Sequence, residues 1–166
     1  MCTGNICRSP IAERLAAAYG ARLAIPQFRA SSAGTRALTG HVIHPNAACV
    51  LEELGGDASD FAARQLTSRI ASAADLVITM TAVHRDAVLH LAPGQLHRTF
   101  TLSEASRLAS ECKPDKVADL DAFRPHLDPR EAQDIPDPFG HSRQTFAAVG
   151  HQIADLMLPI LKLCRR

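Results

Sequence analysis

The N-terminal segment constrains the fold and chemistry of this chain most, because it combines a Cys-x5-Arg spacing with the start of a helix. From Cys2 to Ser9 it reads Cys-Thr-Gly-Asn-Ile-Cys-Arg-Ser, and Pro10 follows. Proline suits the first helical position, Ser9 can cap the helix, and alanines continue it to Gly20. A loop that feeds a helix N-terminus aims backbone N–H groups at one point, where the helix dipole favours negative charge. The segment therefore predicts an anion-binding loop.

The residue types in this loop suit a phosphate group and a sulfur nucleophile. Arg8 supplies a planar pair of donors for two phosphate oxygens. Gly4 lets the backbone approach the anion, and Asn5 tolerates a left-handed backbone better than most residues. The positive surroundings favour the thiolate form of Cys2, and Ser9 can donate a hydrogen bond to that sulfur. A Cys–Arg spacing alone is a weak signal, but together with these neighbours it is specific.

Strand-like and helix-like segments alternate along the rest of the chain. Residues 74–80 (Ala-Asp-Leu-Val-Ile-Thr-Met) are the clearest buried strand, and residues 28–32 and 98–102 are further candidates. Alternation of this kind predicts a parallel sheet covered by helices on both faces, within one domain over residues 1–166. The other predicted segments are a helix opening at His44-Pro45 and stopping at Gly55-Gly56, a helix over residues 83–91, a polar loop with short helical turns over residues 110–140, and a closing helix over residues 146–163.

Composition narrows the possible partners and compartments. The formal net charge is +1 and no basic stripe stands out, which argues against a nucleic-acid binder. No apolar run reaches the length of a membrane span and no signal peptide is visible, so no membrane is expected. Five scattered cysteines are an odd number and predict reduced thiols in the cytoplasm rather than a disulfide framework. No His/Cys/Asp cluster has zinc spacing, so neither a metal nor a cofactor is expected.

The chain resembles the low-molecular-weight protein tyrosine phosphatases over nearly its whole length. Beyond the loop, the resemblance includes residues 32–35 (Ser-Ala-Gly-Thr), 63–67 (Ala-Arg-Gln-Leu-Thr), the strand at 74–80 and 137–139 (Asp-Pro-Phe). It implies an α/β fold, a three-layer α/β/α sandwich with a small twisted parallel sheet of four strands. Three of those strands are visible here and the first is truncated.

The resemblance also implies roles for individual residues. Cys2 would be the nucleophile that forms a phosphocysteine, Arg8 the phosphate clamp, and Asp137 the general acid that protonates the leaving phenolate. Asn5, Ser9 and Ser32 would form the polar network that supports the loop. The positions expected to contact the substrate are Thr3, Gly4, Asn5, Ile6, Cys7, Ser9, Leu38 and Phe139.

Chemistry supports a positioned acid, because a phenolate, whose conjugate acid has a pKa of about 10, leaves poorly near neutral pH. The resulting carboxylate could then deprotonate the water that hydrolyses the phosphocysteine. Asp134, Asp128 and Asp121 compete for this role. Asp137 is favoured, because a proline and then an aromatic residue follow it and the flanking prolines stiffen its loop.

Three features depart from the family pattern. Relatives carry an apolar strand ahead of the nucleophile, so we expect the natural chain to extend further upstream of Met1. Leu38 stands where many relatives place an aromatic residue, which leaves Phe139 as the main pocket wall and makes phosphotyrosine preference less secure than phosphatase chemistry. Phe61 stands where many relatives have a histidine that supports Asn5.

Several alternatives to hydrolysis of phosphotyrosine in proteins or peptides remain open. An arsenate reductase would need a further cysteine pair, and residues 72–111 contain no cysteine. Phosphoarginine phosphatases carry Thr where Ile6 stands, and Ile6 suits an aromatic ring better. A non-catalytic phosphate-binding module would fit a truncated first strand. Cys7 is either a small packed residue or a partner for a protective disulfide with Cys2. The expected partners are a phosphorylated protein or peptide and a cognate tyrosine kinase, and the expected state is a monomer or weak dimer.

Overall fold

The protein combines a small parallel sheet with surrounding helices, as the sequence predicts. A computed structural model describes residues 1–128 and 133–165 of the chain. The helices are α1 (Arg8–Arg22), α2 (Pro45–Glu53), α3 (Ser68–Ser72), α4 (Ala82–Leu91), α5 (Leu102–Arg107), α6 (Leu120–Phe123) and α7 (Arg143–Cys164), and the strands are β1 (Val77–Thr79) and β2 (Thr99–Thr101). Three 3-10 helices (Pro93–Arg98, Val117–Asp119, Arg124–His126) and a π-helical turn (Leu108–Cys112) complete these elements. The α/β fold class is confirmed, and the single-domain assignment stays a prediction.

The sheet places the start of the anion-binding loop beside β1. Strands β1 and β2 pair in parallel, with Ile78 opposite Phe100. On the other side of β1, the Met1 amino group donates to the Ile78 carbonyl, and the Met80 N–H donates to the Met1 carbonyl. Single parallel bridges from Cys2 to Gly34 and from Gly34 to Gln65 continue the same layer. Cys2 therefore emerges at the edge where β1 ends, which is where parallel sheets collect functional side chains.

The predicted strand at residues 28–32 is wrong: those residues adopt no strand. Ala24 and Gln27 have φ values of +51° and +54°, so the chain turns back toward α1 at this point. The Phe28 ring then lies against Gly20, where any larger residue would collide with it. In the described part of the chain the sheet has two strands, and only isolated bridges stand where longer strands were expected.

The other predicted elements agree within a few residues. Helix α2 begins after His44, whose side chain caps it, and α4 begins after Thr81, which caps it in the same way. One detail is wrong: α1 begins at Arg8 with Cys7 preceding it, so Ser9 lies inside the helix and its hydroxyl is not a cap. Segment 110–140 carries short helical turns as predicted, although its residues 129–132 lie outside the described residues.

Helix α7 contributes a large part of the hydrophobic core. It packs against α1, α2 and α5, and its buried face includes Phe146, Ile153 and Ile160. By length and composition alone this helix could cross a membrane, contrary to the sequence expectation, but half of its most apolar stretch is buried inside the protein. A core helix meets the same criterion, because neighbouring helices cover its apolar face.

Candidate active site

The nucleophile loop closes on itself through Cys2 and Ser9. The Cys2 sulfur lies 3.0 Å from the Ser9 hydroxyl oxygen, and both side chains are buried. Asn5 has a φ of +57°, the left-handed conformation that the sequence predicted. Because α1 begins directly at Arg8, the free N–H groups of its first turn border the loop. The site therefore joins a buried thiol to a helix N-terminus, which suits an anion.

The Asn5 side chain fixes the direction of the hydrogen bonds around the thiol. Its amide nitrogen donates to the Ser9 hydroxyl at 2.9 Å and to the Ser32 hydroxyl at 2.7 Å, and its carbonyl oxygen accepts from the Arg64 N–H at 2.9 Å. Since Ser9 oxygen accepts from Asn5, the Ser9 proton is available to donate to the Cys2 sulfur. The network thus supplies a hydrogen-bond donor to the Cys2 sulfur.

Glu13 and Arg64 complete this network, and neither role was predicted from the sequence. The Ser32 hydroxyl donates to a Glu13 carboxylate oxygen at 2.6 Å, while the Arg64 guanidinium donates from Nε to the Ser32 carbonyl, also at 2.6 Å. Glu13 stands two turns along α1 from the loop, on the face that meets residue 32. Helical spacing alone could have placed Glu13 near the loop, but its serine partner comes from a distant segment.

Phe61 does not leave Asn5 short of partners. The Phe61 side chain is buried, and the Arg14 guanidinium lies 5.6 Å from its ring centre. Asn5 itself is fully buried, and its amide already has the three hydrogen bonds given above. The loop is therefore supported without the histidine that many relatives carry at this position.

Arg8 connects the nucleophile loop to the loop that carries Asp137. Its guanidinium donates from Nη1 to the Ile135 carbonyl at 2.8 Å, and Nη2 lies 2.8 Å from an Asp137 carboxylate oxygen. The Arg8 side chain is only 4% exposed, and its Nε is buried with no hydrogen-bond partner among the described residues. A buried N–H without an acceptor is costly, so this donor is well suited to an oxygen of a bound anion.

The acid-bearing segment, residues 133–137, is held in place by contacts at Asp134 and at the residues on both sides of it. The Ser103 hydroxyl donates to the Gln133 carbonyl at 2.6 Å, and the Asp134 carboxylate accepts from the Ala82 N–H at 2.8 Å. Next along the chain, Ile135 N–H donates to the Met80 carbonyl at 2.8 Å. These contacts hold the segment against β1 and the start of α4.

The structure brings Asp137 to the loop and engages two of its competitors elsewhere. Asp137 is 53% exposed, pairs with Arg8, and accepts from the Phe139 N–H at 3.3 Å. Asp134 binds the α4 N-terminus, as described above, and Asp121 lies within 2.6 Å of His97 and 3.2 Å of Arg124. The assignment of Asp137 as the acid remains a prediction, now with a position beside the clamp.

The mouth of the site carries two exposed apolar side chains. Leu38 is 45% exposed and its N–H donates to the Gly4 carbonyl at 3.0 Å, while Phe139 is 58% exposed. His44 supports this rim: its ring meets Phe139 edge-on at 5.9 Å and stacks on Phe146 at 4.8 Å. The His44 N–H also donates to the Ile6 carbonyl at 2.8 Å. The rim is thus connected to the loop through Leu38 and His44.

Gly34, rather than Gly4, is the glycine that the close backbone approach requires. A Cβ at Gly34 would collide with the Thr3 carbonyl oxygen, whereas a Cβ at Gly4 would meet Ile6 only at an ordinary 3.6 Å. Just beyond Gly34, the N–H groups of Thr35 and Arg36 donate to the Cys2 and Thr3 carbonyls at 2.9 and 3.0 Å. The role predicted for Gly4, which is to let the backbone approach an incoming anion, stays a prediction.

Two titratable side chains near Cys2 are held neutral. Burial, and then the neighbouring Cys2, raises the pKa of the Cys7 thiol to about 12, so Cys7 is a poor nucleophile at neutral pH. Its redox role stays a prediction. Burial, and then the positive charge of Arg8, lowers the pKa of His84 to about 4. No group of three or more His, Cys, Asp or Glu side chains in residues 1–128 and 133–165 is arranged to hold a metal ion.

This arrangement defines a small α/β protein with a cysteine–arginine anion loop at the end of a parallel strand. A family model described as low molecular weight phosphotyrosine protein phosphatase matches residues 1–107 of the 166. The chain belongs to this family, as the resemblance of its motifs implied.

Relatives and solved structures agree with this assignment. The chain is 32% identical, over 149 residues, to the low molecular weight protein-tyrosine-phosphatase Wzb of Escherichia coli K12, covering 90% of this chain and 82% of that protein. The crystal structure of Wzb from Escherichia coli K30 with sulphate superposes with a TM-score of 0.73 at 27% identity, covering 97% of this chain and 92% of that one. The YwlE arginine phosphatase from Geobacillus stearothermophilus superposes at 0.74 with 28% identity, covering 97% and 87%.

Proposed function

We propose that this protein hydrolyses phosphotyrosine in proteins or peptides through a phosphocysteine on Cys2. The proposal rests on one observation, made at the N-terminus of α1. There the buried Cys2 thiol and the Ser9 hydroxyl lie together with the buried Arg8 Nε, which has no hydrogen-bond partner among the described residues. Membership of the phosphotyrosine phosphatase family supports the same chemistry. No step of this proposal requires a metal or a cofactor.

In the first step the Cys2 thiolate attacks phosphorus and the bond to the tyrosine oxygen breaks. The N–H groups of the loop and the Arg8 guanidinium hold the phosphoryl oxygens and their developing charge. Ser9 donates to the sulfur, which makes the sulfur a better leaving group in the second step. In that step water attacks phosphorus, the P–S bond breaks, and phosphate and the thiolate are released.

Asp137 is proposed as the proton donor to the phenolate and then as the base for water. Its carboxylate oxygen lies 2.8 Å from the Arg8 guanidinium, so it stands beside the proposed phosphate position. A phosphoryl group in the loop would compete for the same guanidinium and release the Asp137 carboxyl from it, next to the leaving oxygen.

The aromatic substrate is proposed from the pocket rim and from Ile6. Phe139 can stack on a phenyl ring and is held edge-on by His44, while Leu38 offers an apolar opposite side. Hydrolysis of phosphoarginine is the second candidate, supported by the likeness to the YwlE arginine phosphatase. Ile6, in place of the threonine typical of those enzymes, favours the aromatic substrate. Arsenate reduction and non-catalytic phosphate binding remain the weaker alternatives stated above.

The proposed setting is the cytoplasm, where scattered reduced thiols are normal. In the structure all five cysteines are free. A phosphorylated protein or peptide is the proposed substrate, with a cognate tyrosine kinase as its source, and the protein is proposed to act as a monomer or weak dimer.

The test is a comparison of three phosphorylated substrates under identical conditions. Phosphate release from a phosphotyrosyl peptide should exceed release from a matched phosphoseryl peptide and from a phosphoarginyl peptide. Ile6→Thr serves as the matched variant, and we expect it to shift the ratio toward phosphoarginine. Faster release from phosphoarginine by the wild-type protein would replace the tyrosine proposal with the second candidate. No release from any substrate, by a folded protein that still binds inorganic phosphate, would favour the non-catalytic module.

A further inference from the structure

We propose that His84 is a positioning residue, which holds the nucleophile loop through a hydrogen bond from its Nε2–H to the Thr3 hydroxyl. The inference rests on the proposed function, because it concerns the geometry of the same loop. Neither motif spacing nor the catalytic steps described above use His84.

Both ring nitrogens of His84 have partners on opposite sides. Nε2 lies 2.9 Å from the Thr3 hydroxyl oxygen, directly after the nucleophile in the chain, and Nδ1 lies 2.8 Å from the Thr81 hydroxyl oxygen. The imidazole is 5% exposed and stands in the first turn of α4. A buried ring with two hydrogen bonds has one well-defined orientation, which makes it a suitable support for a loop.

The cap at Thr81 indicates which ring nitrogen carries the proton. The Thr81 hydroxyl oxygen already accepts from the His84 backbone N–H at 3.2 Å, so its own proton is available for Nδ1. Nδ1 is then the acceptor and Nε2 carries the hydrogen. The chain of donors therefore runs from Thr81 to His84 to Thr3.

The charges around His84 agree with a neutral ring. Burial lowers its pKa most, and the Arg8 guanidinium and the Met1 amino group lower it further. Asp137 and Asp134, on the acid-bearing segment, act in the opposite direction but do not compensate. A neutral imidazole holds Thr3 without adding a further positive charge beside Arg8.

His84 stands in a helical turn that contacts both halves of the site, the nucleophile loop and the segment that carries Asp137. Its ring binds Thr3 in the nucleophile loop, while the backbone N–H of Ala82, two residues earlier in the same helical turn, binds the Asp134 carboxylate at 2.8 Å. The first turn of α4 therefore contacts the loop that carries Cys2 and the segment that carries Asp137. Loosening the contact to Thr3 should misplace the loop N–H groups relative to the acid.

The experiment uses the full chain and measures both inhibition by inorganic phosphate and the kcat for a phosphotyrosyl peptide. His84→Phe keeps a flat ring without hydrogen bonds, Thr3→Val removes the hydroxyl, and the double variant joins them. His84→Gln restores a side-chain N–H that can reach Thr3. Val83→Ala is the control, because Val83 is 73% exposed on the same helical turn.

We expect His84→Phe and Thr3→Val each to weaken phosphate binding and to lower kcat by about fivefold, the worth of one hydrogen bond. The double variant should lose no more than the larger single loss, since both changes remove one contact. His84→Gln should recover most of the loss, and Val83→Ala should resemble wild type. Losses that multiply in the double variant would overturn the inference. So would a lower melting temperature of His84→Phe with phosphate affinity and kcat unchanged.

Nitrogen-15 NMR of the histidine rings tests the inference without turnover. The wild-type protein should show His84 protonated at Nε2 and not at Nδ1 near neutral pH, and Thr3→Val should shift the Nε2 resonance. A ring protonated at Nδ1 would contradict the proposed direction. If the wild-type protein released no phosphate from any substrate, the proposed function would fail. The phosphate affinity and the protonation state of the ring would still decide the role of His84. If His84→Phe did not fold, the same two measurements on Thr3→Val would decide it.

Discussion

The nucleophile loop and the rim around it differ in how firmly their side chains are held. In the loop, Asn5 is fully buried with three side-chain hydrogen bonds, and Arg8 is 4% exposed. At the rim, Leu38 and Phe139 are about half exposed. The groups proposed to meet the phosphorus are held by a hydrogen-bond network, whereas the groups proposed to select the substrate are half exposed to solvent. Changes in the loop should therefore alter kcat, and changes at the rim should alter KM.

The largest expected effect beyond loss of the nucleophile is at the acid. Asp137→Asn should lower kcat for a phosphotyrosyl peptide by about 100-fold or more, because the phenolate then leaves unprotonated. An aryl phosphate with a more acidic phenol should lose less activity. Both are measured as phosphate release at saturating substrate.

Asp134→Asn is the matched control for that change, because an asparagine oxygen can still accept from the Ala82 N–H. It should retain most of its activity. Equal losses in the two variants would show that the segment as a whole, rather than the Asp137 proton, is what matters.

The hydrogen-bond direction around Cys2 is tested by the near-isosteric change Asn5→Asp. The new carboxylate still accepts from Arg64 but draws the protons of Ser9 and Ser32 toward itself, so the Cys2 sulfur loses its donor. We expect kcat to fall by about 10- to 100-fold. Ser9→Ala should match this loss and Ser32→Ala should lose less. A variant Asn5→Asp with wild-type kcat would show that the network only supports the fold.

Smaller effects are expected at the rim. Phe139→Ala should raise KM for a phosphotyrosyl peptide by about five- to tenfold with kcat little changed, because a ring contact is lost. Leu38→Tyr should lower KM by about threefold. Leu96→Ala, at an exposed position beside His97 and Arg124, is the control and should leave both constants unchanged. A fall in kcat with KM intact in Phe139→Ala would remove the contrast between loop and rim.

The last expected effect concerns stability rather than catalysis, and it is a pH dependence that arises from His84. Its folded pKa of about 4 lies below the ordinary 6.5, so its contribution is fully present above about pH 6.5 and is lost as pH falls toward 4. One proton changes the free energy of unfolding by at most about 1.4 kcal/mol per pH unit. In denaturant unfolding between pH 4 and 7, the wild type should lose stability relative to His84→Gln as pH falls. Parallel curves would mean that His84 does not titrate on unfolding.

Local sequence was sufficient for the features that depend on neighbouring residues. The left-handed Asn5, the helix that follows the loop, the capped start of α2 at His44 and the strand at residues 77–79 each follow from short-range chemistry. The predicted strand at residues 28–32 failed because Phe28 packs back on α1, a contact that periodicity does not encode.

Three further supporting residues could not be predicted, for the same physical reason. Glu13, Arg64 and His84 each act on a loop partner far along the chain, so only the folded structure brings them together. Gly34 likewise shows its steric role only once the Thr3 carbonyl lies against it. The family resemblance indicated the proposed reacting groups and the supporting side chains of Asn5, Ser9 and Ser32, but not these three more distant partners.

The most direct test of the central claim is phosphate release from a phosphotyrosyl peptide by the wild-type chain and by Cys2→Ser, with folding of both checked by thermal unfolding. We predict turnover by the wild-type protein and none above background by the folded Cys2→Ser variant, since a serine hydroxyl at this position lacks the thiolate that attacks phosphorus. Turnover retained in Cys2→Ser would contradict a phosphocysteine mechanism at this loop.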